Sequence, residues 1–235
     1  MKVPNAYRWQ RKNLWNTLVL FFRHWGNLPN EIVPKFIDPL NIYISTETRI
    51  GGGTVIEPNV WIEGKTVIGK NCKIRFGSVI IDSIIGDNVI IAGARVENSE
   101  VGDNAELGYT AQLKRTQFGA RSKMMHHGYL GDAVVGEDVN IGAGVVTANY
   151  DGETKHQTTI GNDAFIGTNV CLVAPITVPE GAMIAAGSTV TGKDELLPYH
   201  LAIARPKFHI SRSKLVTKDE RSWRLTAKEE DSALT

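Results

Sequence analysis

The sequence of 235 residues contains two cysteines, Cys72 and Cys171, and no CxxC pair. Two isolated cysteines cannot build the disulfide framework of a small secreted domain, and they do not form a zinc site of the cysteine type. We expect both to be buried, reduced thiols. No signal peptide opens the chain, so we expect a cytoplasmic protein.

The sequence also lacks a large net charge and a long hydrophobic run. Its formal net charge is +1, which argues against a broad nucleic-acid-binding surface. The most membrane-like stretch, residues 14–25, is interrupted by Asn16, Thr17, Arg23 and His24. It is too short and too polar to cross a bilayer, so neither a nucleic-acid partner nor a transmembrane segment is expected.

Both ends of the chain differ in pattern from its middle. Near the start, apolar residues recur on one face of an α-helix, at Leu14, Leu18, Phe21, Phe22 and Trp25. Residues 1–41 are therefore predicted to form an amphipathic helix and a connector. Capping the structure that follows is the first interpretation of this helix, and docking to a protein or an anionic membrane is the alternative. Residues 207–235 are charged and are predicted to form a C-terminal arm or tail.

Residues 42–206 contain a short-period repeat of aliphatic-glycine pairs, for example Ile85-Gly86, Val101-Gly102 and Leu130-Gly131. Asp or Asn often follows the glycine, and these residues tolerate the positive φ of tight corners. Three six-residue rungs close one triangular coil of about eighteen residues, so the repeat predicts a mainly β, single-stranded parallel β-helix of about nine coils. The polar stretches at residues 149–157 and 193–200 interrupt the pattern and are predicted to be loops.

The sequence from Gly128 to Gly152, GYLGDAVVGEDVNIGAGVVTANYDG, closely resembles part of the acetyltransferase domain of a bifunctional bacterial enzyme family. These enzymes are glucosamine-1-phosphate acetyltransferases and N-acetylglucosamine-1-phosphate uridylyltransferases. The likeness covers residues 65–206 and is densest from Lys114 onward. It implies a left-handed β-helix and an acetyl-CoA-dependent N-acetyltransferase of an amino-sugar phosphate, most simply glucosamine 1-phosphate.

The resemblance also implies roles for individual residues. The catalytic base is expected at His126, because an amine attacks a thioester only when neutral and histidine can accept its proton near neutral pH. Contacts to the sugar substrate are implied at Arg95, Lys114, Tyr129, Asn140 and Lys155. Contacts to acetyl-CoA are implied at Ala143, Asn149, Tyr150, Thr168, Ala186 and Arg205. No metal is expected, and a homotrimer with sites between its subunits is implied.

The sequence departs from the family in two respects. No Gly-rich nucleotide-binding segment precedes the repeat, so uridylyl transfer is not expected, and a separate uridylyltransferase becomes a candidate partner. The family's Arg-Pro-Gly is missing one coil before Lys114. Arg95 stands one residue out of register and Arg75 lies about one coil further away, which leaves two candidates for the phosphate anchor.

Three alternatives stay open. The acceptor of the acetyl group can instead be a nucleotide-linked amino sugar. A non-catalytic sugar-sensing or assembly module would use the same β-helix. A γ-type carbonic anhydrase would need three histidines for zinc, from His126, His127 and His156, but adjacent residues in a strand point to opposite faces and are a poor ligand pair.

Overall fold

A computed structural model describes residues 33–204, which are almost entirely β-structure with one short 3₁₀-helix at Pro39–Asn41. The strands, in chain order, are β1 Lys35–Phe36, β2 Tyr43–Ile44, β3 Arg49–Ile50, β4 Val55–Ile56, β5 Trp61–Glu63, β6 Val67–Ile68, β7 Lys73–Arg75, β8 Val79–Ile81, β9 Ile84–Ile85, β10 Ile90–Ala92, β11 Arg95–Glu97, β12 Glu100–Val101, β13 Glu106–Leu107 and β14 Ala111–Lys114. They continue as β15 Gln117–Phe118, β16 Lys123–Met124, β17 Gly128–Gly131, β18 Ala133–Val135, β19 Asn140–Ile141, β20 Val146–Ala148, β21 Thr158–Ile160, β22 Phe165–Ile166, β23 Cys171–Val173, β24 Ile176–Val178, β25 Met183–Ile184, β26 Thr189–Thr191 and β27 Leu201–Ala202.

The strands form three parallel sheets, each taking every third strand of the chain up to β26, after which β27 joins the first sheet beside β25. The first face has ten strands and runs from β1 through β4 and β7 to β27. The second face has nine, from β2 to β26, and the third has eight, from β3 to β24. This arrangement is the predicted left-handed parallel β-helix, and its 27 strands in the described residues confirm about nine coils.

Strand pairing fixes the length of each coil. On the first face Val55 pairs with Lys73, and the following partners, Ile90, Glu106 and Lys123, are spaced 16 or 17 residues apart. The coils are therefore slightly shorter than the predicted eighteen residues through the middle of the chain. One coil is longer: Asn140 pairs with Phe165, 25 residues on, because residues 149–157 leave the coil as the predicted loop.

The core is the space enclosed by the three faces. Aliphatic side chains point inward and stack from one coil to the next. On the first face this stack is Ile56, Ile74, Ile91, Leu107, Met124, Ile141, Ile166 and Ile184, each at most 2% exposed. Burial of each such side chain contributes roughly 1.5–3 kcal/mol, so the stack is the main source of stability.

Asparagine and aspartate occupy most of the corners, as the sequence pattern predicts. Of the fourteen non-glycine residues with positive φ in the described part of the chain, ten are Asn or Asp. Several glycines are required for a different reason. A β-carbon at Gly167 would lie 2.6 Å from the backbone nitrogen of Ala186, so adjacent coils approach too closely there for any side chain.

Some expectations fall outside residues 33–204, namely the N-terminal helix, the C-terminal arm and Arg205. Strand β1 precedes Ile42, where the sequence pattern placed the start of the repeat region. Both cysteines are free; Cys72 is buried as predicted, but Cys171 is partly exposed because it lies on the outer side of β23. Within the described residues, no helix has the length and apolar character needed to span a bilayer.

The substitution Leu130→Ala tests the inward stack. Leu130 is fully buried and pairs with Leu113 on the coil before, so we expect a loss of about 2–5 kcal/mol in the free energy of unfolding, measured by urea denaturation. Ile84→Ala is the control, because Ile84 is 53% exposed and its loss should cost less than about 0.5 kcal/mol. Equal losses would contradict the assignment of the core.

Candidate functional site

The edge between the first and second faces collects residues from successive coils into one column. Strand pairing aligns Lys123 with Asn140, Ile141 with Ile166 and Ile166 with Ile184. His126, Ala143, Thr168 and Ala186 lie two positions after Met124, Ile141, Ile166 and Ile184. The same offsets therefore align these four residues at the corner between the two faces. We call these four residues the edge column. The column continues at the same corner of the preceding coils through Tyr109, Gly93 and Phe76.

A groove of about 480 Å³ lies along the C-terminal part of this column. The predicted site residues in its lining are His126, Asn140, Ala143, Thr168 and Ala186. Its apolar walls include Met125, Phe165, Met183 and Leu201. The structure therefore brings together the expected base and three of the residues expected to contact acetyl-CoA.

The groove is open because its edge is built from backbone and small side chains. The Asn169 N–H donates to the Ala143 carbonyl at 2.7 Å, and the Gly187 N–H donates to the Thr168 carbonyl at 2.8 Å. A β-carbon at Gly142 would lie 2.7 Å from the Thr168 nitrogen. An elongated ligand can consequently lie close to the main chain over three coils.

A second group of polar residues lies where the second face turns toward the third. Arg115 donates to both carboxylate oxygens of Asp132, at 2.5 and 2.7 Å. Asn149, which is buried, donates its side-chain N–H to the same carboxylate. Arg115 holds the pKa of the Asp132 carboxyl below its usual value, and the Asn149 hydrogen bond acts in the same direction. The amide of Asn149 is therefore committed to Asp132.

Tyr129 and Lys155 lie beside this group. A β-carbon at Gly131 would lie 2.3 Å from the Tyr129 hydroxyl oxygen, so the tyrosine ring folds back over the glycine. The Tyr129 hydroxyl contributes to the raised pKa of Arg115, after the larger effect of Asp132. The positive charge of Lys155 contributes to the lowered pKa of Asp132. Two predicted substrate contacts are thus electrostatically linked to Asp132.

The remaining predicted substrate contacts, Arg95 and Lys114, meet on the outer side of the second face. Both form ion pairs with Glu97, Lys114 at 3.0 Å. The Glu97 side chain is 12% exposed, whereas those of Arg95 and Lys114 are 49% and 45% exposed. Lys114, followed by Arg95, lowers the pKa of the Glu97 carboxyl. Arg95, one of the two candidate phosphate anchors, therefore shares a carboxylate with Lys114, and the other candidate, Arg75, is exposed at the end of β7.

Hydrogen bonds within the loop at residues 149–157 fix its conformation. Tyr150 and Lys155 form an antiparallel bridge across it. Asp151 accepts hydrogen bonds from the backbone N–H groups of Glu153 and Thr154 and pairs with His156 at 2.6 Å. His156 is the main cause of the lowered pKa of Asp151. The loop thus presents Tyr150 and Lys155 as exposed side chains.

Three residues of these clusters were not identified from the sequence: Glu97, Arg115 and Asp132. A detectable signal was their spacing, since Glu97 and Lys114 are 17 residues apart, as are Arg115 and Asp132. In the described part of the chain, no group of three or more His, Cys, Asp or Glu side chains is arranged to hold a metal ion. His126, His127 and His156 accordingly form no such group.

Comparisons with known proteins identify a family model and several proteins that this chain resembles. Residues 39–151 match the family model described as the GMPPB C-terminal domain. A bifunctional protein GlmU from Heliobacterium modesticaldum is 41% identical over 204 residues, which cover 79% of this chain and 44% of that protein. The GlmU of Bacillus velezensis is 45% identical over 189 residues, covering 73% of this chain and 41% of that protein. This chain is similar in sequence to part of each of these GlmU proteins.

The chain spans less than half the length of these two GlmU proteins. The solved structure of a UDP-N-acetylglucosamine acyltransferase from Campylobacter jejuni superposes with a TM-score of 0.55 and 20% identity, covering 72% of this chain and 71% of that chain. At this identity the superposition supports the β-helix fold. The resemblance to GlmU is carried by sequence.

Substitution of Asp132 tests the ion pair with Arg115. Because the folded-state pKa of Asp132 is lowered, its stabilisation is present above the unfolded-state value near 3.9 and is lost as pH falls through the folded-state value. We expect Asp132→Asn to lower the free energy of unfolding by about 1 kcal/mol at pH 7, after allowance for partial exposure, and by much less at pH 3.

Asp138→Asn is the matched control for this prediction. Both aspartates sit at positive φ and pair with an arginine 17 residues earlier, but Arg121 keeps Glu137 as a second partner. The Asp138 side chain is also more exposed than that of Asp132, at 43% against 20%, so the control should change the free energy of unfolding less than Asp132→Asn does at pH 7. A loss from Asp132→Asn that does not shrink at low pH would show that the ion pair is not its cause.

Proposed function

We propose that this chain is an acetyl-CoA-dependent N-acetyltransferase that acts on an amino sugar carrying phosphate. The observation that supports this most directly is the groove that joins His126 to Ala143, Thr168 and Ala186. These residues come from four different coils, and the resemblance to GlmU gives each of them a role in acetyl transfer. Of the phosphorylated amino sugars, glucosamine 1-phosphate is the simplest acceptor and the one that the resemblance favours.

The lining of the groove fits a thioester donor. An acetyl-CoA arm alternates methylene groups with amides, and here the exposed backbone of three coils and apolar walls run side by side. Small side chains at Ala143 and Ala186 let such an arm approach the main chain. Asn140 and Thr168 add polar groups to the same lining.

The proposed chemistry needs one base. The neutral amine of the sugar attacks the acetyl carbonyl carbon, a C–N bond forms, the C–S bond breaks, and CoA leaves as a thiolate that takes up a proton from His126 to become the free thiol. His126 takes the proton that the amine loses, a role worth about 10²- to 10⁴-fold in rate. His126 is exposed in the bend that follows β16, and it lines the groove. Its ring is therefore accessible to both substrates.

A homotrimer is part of the proposal. The groove lies on an outer edge, and its apolar walls Phe165, Met183 and Leu201 are 44%, 46% and 58% exposed in the single chain. A neighbouring subunit packed along that edge would cover them and complete the site, in a closed three-fold arrangement that repeats one contact.

A nucleotide-linked amino sugar is the second candidate acceptor. The specific observation in its favour is that Glu97 pairs with both Arg95 and Lys114. The resemblance implies that Lys114 contacts the anionic substrate, and Arg95 is one of the two candidates for its phosphate anchor.

The substitution His126→Ala tests the proposed reaction and its base. Release of free CoA thiol from acetyl-CoA is measured with glucosamine 1-phosphate and, in parallel, with UDP-glucosamine. We expect turnover by the native protein with at least one acceptor and a decrease of about 10²- to 10⁴-fold in kcat in the variant. His127→Ala is the control and should keep near-native kcat. Absence of turnover by the native protein with both acceptors would refute the proposal.

The substitution Ala186→Phe tests the donor groove. A phenyl ring at this exposed position would fill the space beside the backbone. We expect KM for acetyl-CoA to rise about tenfold or more, a loss of roughly 1.4 kcal/mol in binding, while KM for the acceptor changes little. An unchanged KM for acetyl-CoA would place the donor elsewhere.

A further inference from the structure

A second column of polar residues lies at the corner where the second face turns toward the third. Arg115, Asp132 and Asn149 are the residues that directly follow β14, β17 and β20. Strand pairing gives these coils an offset of 17 residues, so the three side chains occupy the same corner of three successive coils. The first two adopt positive φ, 52° and 51°, where the chain turns the corner. At Asn149 the chain instead leaves the coil as the loop at residues 149–157.

The Asp132 carboxylate, in the middle of this column, is bound from both sides. It accepts two hydrogen bonds from Arg115 on the preceding coil and one from the side-chain N–H of Asn149 on the following coil. The side chain of Asp132 is 20% exposed, and Asn149 is buried. Charge-assisted hydrogen bonds with this little solvent access are stronger than those at an exposed corner. The carboxylate therefore fixes the direction of the Asn149 side chain.

The main chain of Asp132 holds the other end of the loop. Its N–H donates to the Lys114 carbonyl at 3.0 Å, and its carbonyl accepts from the Thr158 N–H at 3.2 Å. Thr158 is the first residue of β21, where the chain rejoins the coil. Asp132 thus binds the first residue of the loop through its side chain and the residue after the loop through its main chain.

Hydrogen bonds inside the loop transmit this position to its exposed side chains. The His156 N–H donates to the Asn149 carbonyl at 2.8 Å, and Tyr150 and Lys155 form the antiparallel bridge. After the larger effect of its arginine partner, the positive charge of Lys155 also lowers the pKa of the Asp132 carboxyl. The Lys155 ammonium therefore lies near this carboxylate, and a shift of Asn149 would move it.

Charge alone makes this carboxylate unfavourable for an anionic acceptor. Arg115 and Lys155 are cations, and Asp132 offsets one of their two charges. A phosphate group would be attracted by the cations and repelled by the carboxylate. Loss of the carboxylate without any movement of the loop would consequently strengthen acceptor binding. The carboxylate favours acceptor binding only through the position in which it holds Lys155.

We propose that Asp132 is the positioning residue of the acceptor site, because it anchors the loop at residues 149–157 and so fixes Lys155 where it meets the acceptor. This inference rests on the proposed function, which gives Lys155 its contact to the acceptor. Asp132 acts through Asn149 and the loop rather than by contact with a substrate.

The substitution Asp132→Ala tests this inference by thiol release, with whichever of glucosamine 1-phosphate and UDP-glucosamine the native protein uses. We expect KM for the acceptor to rise about tenfold, because Lys155 is no longer held. KM for acetyl-CoA should change less than about twofold, because Ala143, Thr168 and Ala186 lie at the opposite edge of the second face. Loss of folded protein alone would lower the apparent kcat and leave both KM values unchanged.

Asp138→Ala is the matched control. Asp138 also has positive φ and pairs with an arginine 17 residues earlier, but it lies between β18 and β19, at the corner of the third and first faces. Both substitutions place an alanine at positive φ, so their backbone strain is the same. The control should keep the native KM for both substrates. An acceptor KM that falls or stays native in Asp132→Ala would overturn the inference and leave the proposed function intact.

A readout of the loop itself does not depend on turnover. Trypsin cleaves after lysine, and Lys155 is exposed within the loop. Cleavage of the folded protein after Lys155 should be about tenfold faster in Asp132→Ala than in the native protein, because the loop opens locally. Cleavage after Lys70, an exposed residue outside the loop, should keep its native rate.

The two cleavage rates separate local release of the loop from global unfolding. An unchanged rate at Lys155, or equal increases at both lysines, would contradict the anchoring role of Asp132. Failure of the proposed function has a different signature, namely no thiol release by the native protein with either acceptor. The cleavage rates then decide whether Asp132 anchors the loop.

Discussion

The vertical hydrogen bonding between successive coils is the constraint on which this structure depends. The Gly102 N–H donates to Phe118 and the Gly119 N–H to Val135, at 2.8 and 2.9 Å, and the same pattern recurs at each corner. Because each backbone group is satisfied by the neighbouring coil, a residue's height and direction are set by its place in the repeat. Inward positions become the aliphatic core, and outward positions become columns in which distant parts of the sequence meet.

The sequence predicted much of the fold because each repeat in the sequence corresponds to one side of a coil. Aliphatic-glycine pairs gave the three-sided architecture and the number of coils, and the two polar interruptions gave the positions of the loops. His126, Ala143, Thr168 and Ala186 were assigned by resemblance. The structure supplies the physical reason that they lie together, which is that successive coils place them at the same corner of one edge.

A coil of eighteen residues does not predict the ion pairs. With that length Lys114 would face the buried Val96, and Asp132 would face Lys114. The 17-residue register instead pairs Lys114 with Glu97, and it places Asp132 opposite Arg115. An error of one residue exchanges inward for outward positions in a strand. A repeat of eighteen residues therefore hides the charged clusters, which only a 17-residue spacing reveals, although the core pattern is recognisable with either length.

Different residues of the coil determine its stability and its outer surface. Core residues such as Leu130 are packed on all sides, so a change there costs folding free energy. Glu97, Phe76 and Tyr109 point outward, and their removal leaves the aliphatic stack and the vertical hydrogen bonds in place. Outward residues of the coils before His126 can consequently change without altering the core that supports the proposed donor groove.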